Sequence, residues 1–194
     1  MTKSEILVTG GAGYIGSHMC KHLSRNGYQP VVLDNLSRGH RQAVKWGPFY
    51  QDNASDGELL AHIFSAHEIM AVMHFAAYIS VGESVEQPEM YYQNNVAETI
   101  GLLNKVAQSG IDYFIYSSSA AIFGEPTNKA LTETHPQQPI NPYGKSKLMV
   151  ESILRDLESA HGLKSVALRY FNAAGADPEG EDGEDHRPEP ILFH

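Results

Sequence analysis

A tyrosine and a lysine four residues apart, Tyr143 and Lys147, follow Asn141-Pro142, a pair that suits the opening of a helix with proline in its first turn. A spacing of four puts both side chains on one helical face, and that face continues through Val150, Leu154 and Leu157, an apolar stripe that has to pack on a core. Both polar heads therefore point inward. A phenol with an unperturbed pKa of about 10 is a poor base near neutrality, and an adjacent ammonium favours its ionised form. The bland alternative is two amphipathic side chains snorkelling along an apolar surface. Upstream, Ser117-Ser118-Ser119 ends a run of strand character, where a hydroxyl can hydrogen-bond a ligand oxygen. Three serines in a row also suit a plain turn.

The segment Thr9-Gly10-Gly11-Ala12-Gly13-Tyr14-Ile15-Gly16 gives the Tyr/Lys pair its context. It follows a short apolar run and precedes a helical stretch from Ser17 to Arg25. Glycines at 10, 13 and 16 permit a tight turn, a close approach of backbone amides to a pyrophosphate, and close packing of helix on strand. The helix N-terminus then faces the anion. A glycine triplet alone is weak evidence, but Asp34 closes a second apolar run 18 positions after Gly16, where a carboxylate can accept hydrogen bonds from an adenosine ribose. The sequence thus predicts a dinucleotide site. Asp34 would repel a 2'-phosphate, which favours NAD over NADP, with Arg38 and Arg41 as nearby cations that work against that preference. The cationic ring of oxidised NAD would add to Lys147 in favouring the Tyr143 phenolate.

The elements that must position these residues alternate in a βαβ pattern. Strands are predicted at 6–8, 30–33, 49–50, 71–75, 113–116 and 165–168, and Val96, Ile100, Leu103 and Ala107 are predicted to form the buried face of a crossover helix. The predicted fold is α/β, a doubly wound parallel sheet of Rossmann type. Residues 1–172 are expected to form the NAD-binding domain. Residues 173–194, rich in Gly, Pro, Asp and Glu, are expected to be a loop leading out of that domain toward a substrate domain, with a solvated acidic turn at 179–185.

Composition excludes several classes. With 14 Lys+Arg against 23 Asp+Glu, the formal charge of -9 opposes nucleic acid and anionic lipid. No apolar run reaches the roughly 18 residues of a membrane span and the N-terminus does not read as a signal peptide, so a cytoplasmic protein is expected. Cys20 is the single cysteine and is expected to pack as a small hydrophobe. The ten histidines include no HExxH pair, and no metal site is expected. A hydrolase elbow of GxSxG type is absent.

Together, the glycine turn, Asp34-Asn35-Leu36, Ser117-Ser118-Ser119 and the Tyr143/Lys147 pair resemble the extended short-chain dehydrogenase/reductase family. Further blocks resemble its UDP-hexose 4-epimerase branch: His74-Phe75-Ala76-Ala77, Val81-Gly82-Glu83-Ser84, Tyr91-Tyr92-Gln93-Asn94-Asn95, Ser119 to Gly124, and Leu168 to Ala176. The resemblance covers most of residues 5–190. It implies Tyr143 as base, Ser119 as hydrogen-bond partner of the sugar 4-hydroxyl and Lys147 as ligand of the nicotinamide ribose. It extends the cofactor site from Gly10, Gly13, Gly16 and Asp34 to Tyr14, Ile15, Asn35, Asn53, Phe75, Ala76, Ala77, Asn95, Ser117 and Tyr170, and directs Phe171 and Asn172 toward the substrate. The implied reaction interconverts UDP-glucose and UDP-galactose through a 4-keto sugar, with NAD retained, in a homodimer formed through helices on one side of the sheet.

The chain departs from the family pattern in two residues and in length. Asp52-Asn53 stands where Gly-Asp is usual, so Asn53 would offer a donor and an acceptor to adenine. Ile79 stands where a lysine near the diphosphate is usual, and that role is not carried over. Family members continue into a C-terminal domain that holds uridine, and this chain stops at His194, so the resemblance implies a piece lacking most of the substrate lid. Two rival readings are a dehydratase of the same family, disfavoured because Ala120 and Ala121 stand where acid/base residues are needed, and a non-catalytic NAD-binding module.

Overall fold

A computed structural model describes residues 3–125 and 130–185. Six parallel strands form one sheet in the order β3-β2-β1-β4-β5-β6. They are β1 (Glu5–Thr9), β2 (Gln29–Leu33), β3 (Phe49–Tyr50), β4 (Ile69–His74), β5 (Tyr113–Ser117) and β6 (Lys164–Leu168). The strands predicted from sequence all form, with ends shifted by at most two residues. The order steps outward from β1 in both directions, so a crevice opens between the carboxyl ends of β1 and β4, where ligands bind in sheets of this type.

Alternation along each strand builds two cores. Leu7, Val31, Leu33, Val72 and Phe114 face α2 (Gly57–Ala66), α5 (Glu98–Ser109) and α6 (Pro142–His161), while Ile6, Val8, Val32 and Met73 face α1 (Tyr14–Arg25). Cys20 lies buried in the second core with its thiol pKa pushed up to about 12, chiefly by burial, so it packs as a hydrophobe as expected. Beyond β4 that second face is open: Tyr113, Val166 and Leu168 are exposed on it.

The crossover helix corrects one expectation. Its buried residues are Asn95, Thr99, Leu102, Leu103 and Val106, while Ile100 is exposed. After α3 (Val81–Glu86) and α4 (Pro88–Tyr92), residues Gln93–Ala97 form a π-turn before α5 begins. One extra residue in a turn rotates the face that follows by about 100° relative to the spacing of an unbroken helix.

The acidic segment is also placed differently from expectation. Residues 173–185 fold back on α1, where Asp177, Glu179 and Glu181 close around the Lys21 ammonium at 2.7, 3.0 and 2.6 Å. Arg25 also pairs with Glu179, and the Tyr14 hydroxyl donates to the Gly175 carbonyl at 2.5 Å. The sequence pattern identified the charges but not their partner, because Lys21 lies more than 150 residues away on a helix face read only for its apolar positions. Residues 186–194 of the predicted loop lie outside the described residues.

Candidate active site

The crevice is a cleft of about 800 Å³ at the carboxyl ends of β1, β2, β4 and β5. The glycine turn forms its floor. Gly10 sits at φ 72°, and a Cβ there would come within 2.5 Å of the Ala76 amide nitrogen, so only glycine lets β4's exit loop pack against the turn. A Cβ on Gly16 would approach the Gly10 carbonyl oxygen to 2.1 Å, so only glycine lets α1 start this close. Helix α1 begins without a side-chain cap and without an acidic residue in its first turn. Its first amides, those of Tyr14, Ile15 and Gly16, have no intrahelical acceptor, and all three residues line the cleft.

Asp34 borders the cleft at the end of β2, its carboxylate accepting from the Ala12 amide at 3.0 Å and the Leu36 amide at 2.8 Å. Burial raises its pKa, and those two amides pull the other way. Leu36, whose amide donates to Asp34, is the one non-glycine residue with positive φ among those described, at 61°. Asn35 lines the cleft and donates its carboxamide to Asn53 at 2.8 Å. Asn53 itself does not reach the cleft; Asp52 and Ala54 on either side of it do.

From β4, Phe75, Ala76 and Ala77 form the opposite wall. Asn95 is not in that wall. It is buried in the π-turn, where its carboxamide accepts from the Tyr78 amide at 2.8 Å and donates to the Tyr78 carbonyl at 3.0 Å and the Ser146 hydroxyl at 3.2 Å. It braces the wall against α6, and its neighbour Asn94 lines the cleft. His74, below the wall, joins the Thr9 hydroxyl at 2.6 Å to the Thr99 hydroxyl at 3.0 Å. Thr99 spends its proton on the Asn95 carbonyl, so it accepts from the His74 Nε2–H, and Thr9 donates to Nδ1. Burial lowers the His74 pKa to about 3, with the Lys147 charge adding to the effect, so the imidazole is neutral.

The three serines after β5 divide their labour. Ser117 pairs its hydroxyl with the Tyr170 hydroxyl and its carbonyl with the Lys147 ammonium, the latter at 2.8 Å. Ser118 donates to Glu151 at 2.5 Å, and Glu151 also takes two hydrogen bonds from Arg169 at 3.0 and 2.6 Å. Ser119 caps the 3-10 turn Ala120–Phe123 by accepting from the Ala121 amide at 3.1 Å, and it lines the cleft together with Tyr143. Helix α6 starts beside that turn: Asn141 caps it through the Gly144 amide, and a Cβ on Gly144 would come within 2.6 Å of the Ala121 carbonyl oxygen. Tyr143, Ser119, Phe171 and Asn172 all line the cleft, and the stripe Val150, Leu154 and Leu157 packs on the core as predicted.

The electrostatics of the pair differ from the sequence expectation. Burial pushes the Lys147 pKa down to about 7, and burial raises that of Tyr143 against the opposing hydrogen bond from Ser119. The Lys147 Nζ lies 5.8 Å from the centre of the Tyr143 ring. Burial thus works against the charged form of both groups, and a positive charge brought in by a ligand would favour the Tyr143 phenolate.

The sequence reading missed Glu151 and Arg169, which hold the serine turn between β6 and α6. A signal was present, since Glu151 continues the Tyr143–Lys147 face by another four residues.

The profile of the NAD dependent epimerase/dehydratase family matches residues 6–190. The chain belongs to this family. Among its relatives, a UDP-glucose 4-epimerase of Rhizobium meliloti (strain 1021) is 51% identical over 189 residues, which is 97% of this chain and 58% of the relative. The UDP-glucose 4-epimerase of Brucella ovis, solved in complex with NAD, superposes with a TM-score of 0.95 at 49% identity over 97% of this chain and 58% of that one. That of Bifidobacterium longum, solved with NAD+ and UDP, gives a TM-score of 0.90 at 37% identity over 95% of this chain and 58% of that one. The chain thus spans somewhat more than half the length of these relatives. The family's cofactor is NAD, and the cleft suits it: an uncapped helix N-terminus for the pyrophosphate and a carboxylate at the end of β2 for the ribose. No helix among the described residues is long and apolar enough to cross a membrane.

Proposed function

We propose that the chain carries the NAD-binding and catalytic part of a UDP-glucose 4-epimerase, which interconverts UDP-glucose and UDP-galactose through a 4-keto sugar. The observation that carries this reading is the convergence of Tyr143 and Ser119 on the cleft with Lys147 buried behind them. Gly10, Gly13, Tyr14, Ile15, Gly16, Asp34, Asn35, Phe75, Ala76, Ala77, Ser117 and Tyr170 line the same cleft and would hold the cofactor. Asn53 and Asn95 act behind that lining, by tethering Asn35 and by bracing Tyr78.

Bound NAD supplies a hydride acceptor and donor, and its positive ring favours the phenolate. Tyr143 takes the proton of the sugar 4-hydroxyl as the C4–H bond breaks, and returns it to the oxygen when the ketone is reduced on its other face. Ser119 hydrogen-bonds that oxygen throughout, and Lys147 holds the ribose and adds positive potential. Phe171 and Asn172 face the sugar nucleotide. Ala120 and Ala121 line the cleft beside Tyr143 and offer no second acid or base, which separates this reading from a dehydratase. Exposed Ile100 on α5 and Met149 on α6 support association as a homodimer through those helices.

The decisive measurement is UDP-galactose turnover in the protein extended to the length of its relatives, with and without Tyr143→Phe. Turnover should fall by at least about a hundredfold while NAD stays bound. Near-normal turnover in that variant would remove Tyr143 as the base. The 194-residue chain alone should bind NAD with little turnover, since the ketone must be held and screened from water by more than this cleft provides.

A further inference from the structure

Arg38 is the only lysine or arginine among the described residues that line the cleft. It stands four residues beyond Asp34, close enough in sequence to serve a phosphate on the adenosine ribose. Its guanidinium is turned to the other wall. It donates to Glu83 on α3 at 2.7 Å and lies 5.0 Å from the centre of the Tyr78 ring, both after β4, and β1 separates β4 from β2 in the sheet. Glu83 is a fixed anchor, because its second carboxylate oxygen accepts from the hydroxyl of the buried Tyr91 at 2.8 Å. The other nearby cation, Arg41, lies 4.6 Å from the centre of the Phe49 ring and does not line the cleft.

We propose that Glu83 is a specificity-determining residue that acts through Arg38: by tethering to the β4 wall the one lysine or arginine among the described residues that line the cleft, it withholds that charge from a 2'-phosphate facing Asp34. Cofactor choice then has two parts. Asp34 accepts from a ribose hydroxyl and repels a phosphate, and Glu83 withdraws the arginine that would otherwise offset the repulsion. The inference rests on the NAD-binding reading of the cleft and makes no use of the epimerase reaction.

The test is titration of the chain with NAD and with NADP, in the parent and in Glu83→Gln, Arg38→Ala and the double variant. Glu83→Gln keeps an acceptor for Tyr91 but frees Arg38, and should narrow the NAD-to-NADP preference about threefold through tighter NADP binding, the scale of one exposed ion pair. Arg38→Ala alone should leave the preference unchanged, and the double variant should return to the parent value. The proposal is overturned if Glu83→Gln binds NAD yet keeps the parent preference, or if its gain survives in the double variant. It is also overturned if Arg38→Ala selectively weakens NADP, since Arg38 would then already be serving the 2'-phosphate; this exposed position tests the idea even if Glu83→Gln folds poorly. A parent chain that binds neither dinucleotide would instead defeat the NAD-binding reading itself.

Discussion

Two lysines of this domain are almost completely buried, Lys21 on α1 at 4% exposure and Lys147 on α6 at 2%, and their surroundings are opposite. Around Lys21, burial works against the charge, but Asp177, Glu181 and Glu179 outweigh it and hold the ammonium firmly protonated. Around Lys147 there is one backbone carbonyl and the rings of Tyr116 and Tyr143, and burial brings its pKa down to about 7. An ammonium matched by carboxylates is finished structure, fastening residues 173–185 to the first helix. An ammonium buried with no counter-charge among the described residues costs stability, the kind of cost found at sites that act on a ligand. The same residue type is thus a fastener in one region and, on the proposed reading, part of a reactive site in the other.

Replacing Lys147 by methionine should separate these roles most sharply. In the extended protein, epimerase turnover should drop at least about a hundredfold, because positive potential beside Tyr143 is lost. The domain without cofactor should become more stable, by on the order of 2 kcal/mol at pH 7, because a desolvated charge is exchanged for an apolar chain of similar volume. The pH dependence carries the sign. Between about pH 7 and 10.5 the unfolded chain holds a proton at Lys147 that the folded chain has released, so stability of the parent should rise with pH across that window. Lys147→Met should remove the rise. Urea unfolding at pH 7 and pH 9.5 checks both points, and a destabilised variant would show that Lys147 has a counter-charge after all.

Lys21→Met should do the reverse. Three carboxylates would lose their shared cation, and the segment they carry should detach from α1. Endoproteinase Glu-C cuts after glutamate, and Glu179, Glu181 and Glu184 lie in that segment. Cleavage there should accelerate by about tenfold, in line with loss of a local protective structure. Cleavage at the parent rate would mean that other contacts hold the segment, such as the hydrogen bond from Tyr14 to Gly175.

The difference between the two lysines also marks what sequence alone conveys. Lys147 was legible because it shares a periodic face with Tyr143, Val150 and Leu154, and periodicity is a local property of the chain. The strands and the glycine turn were legible for the same reason. Lys21 was not, because its partners lie more than 150 residues away and only the fold joins them. Ser118, Glu151 and Arg169 meet in the same way, from β5's exit, α6 and β6's exit. The crossover helix shows a subtler limit: the π-turn at Gln93–Ala97 shifts the phase of the helix, so that Leu102 and Leu103 face inward and Ile100 outward, while Asn95 braces Tyr78 and Asn94 lines the cleft. A one-residue change of phase leaves no mark in a residue-spacing pattern that other apolar residues satisfy equally well.

Salt should produce the smallest effect, and only in one of the two regions. Of the carboxylates around Lys21, Asp177 is shielded, but the side chains of Glu179 and Glu181 are 53% and 46% exposed. Screening reaches charges that face solvent, with a Debye length of about 3 Å at 1 M salt against about 10 Å at 0.1 M. Two of the three attractions should therefore weaken, while the shielded one to Asp177 persists, and Glu-C cleavage within 173–185 should speed up about twofold to threefold between 0.1 and 1 M sodium chloride, the scale of an exposed ion pair. The rate has to be referred to an unstructured peptide of the same sequence, so that the effect of salt on the protease itself is divided out. The rise in stability between pH 7 and 9.5 assigned to Lys147 should be unmoved by the same change of salt, because that group is buried and has no counter-ion to screen. A salt-independent cleavage rate would place the hold on Asp177 alone, whereas a pH response that flattens in salt would mean that ions reach Lys147 and that its low pKa does not come from burial.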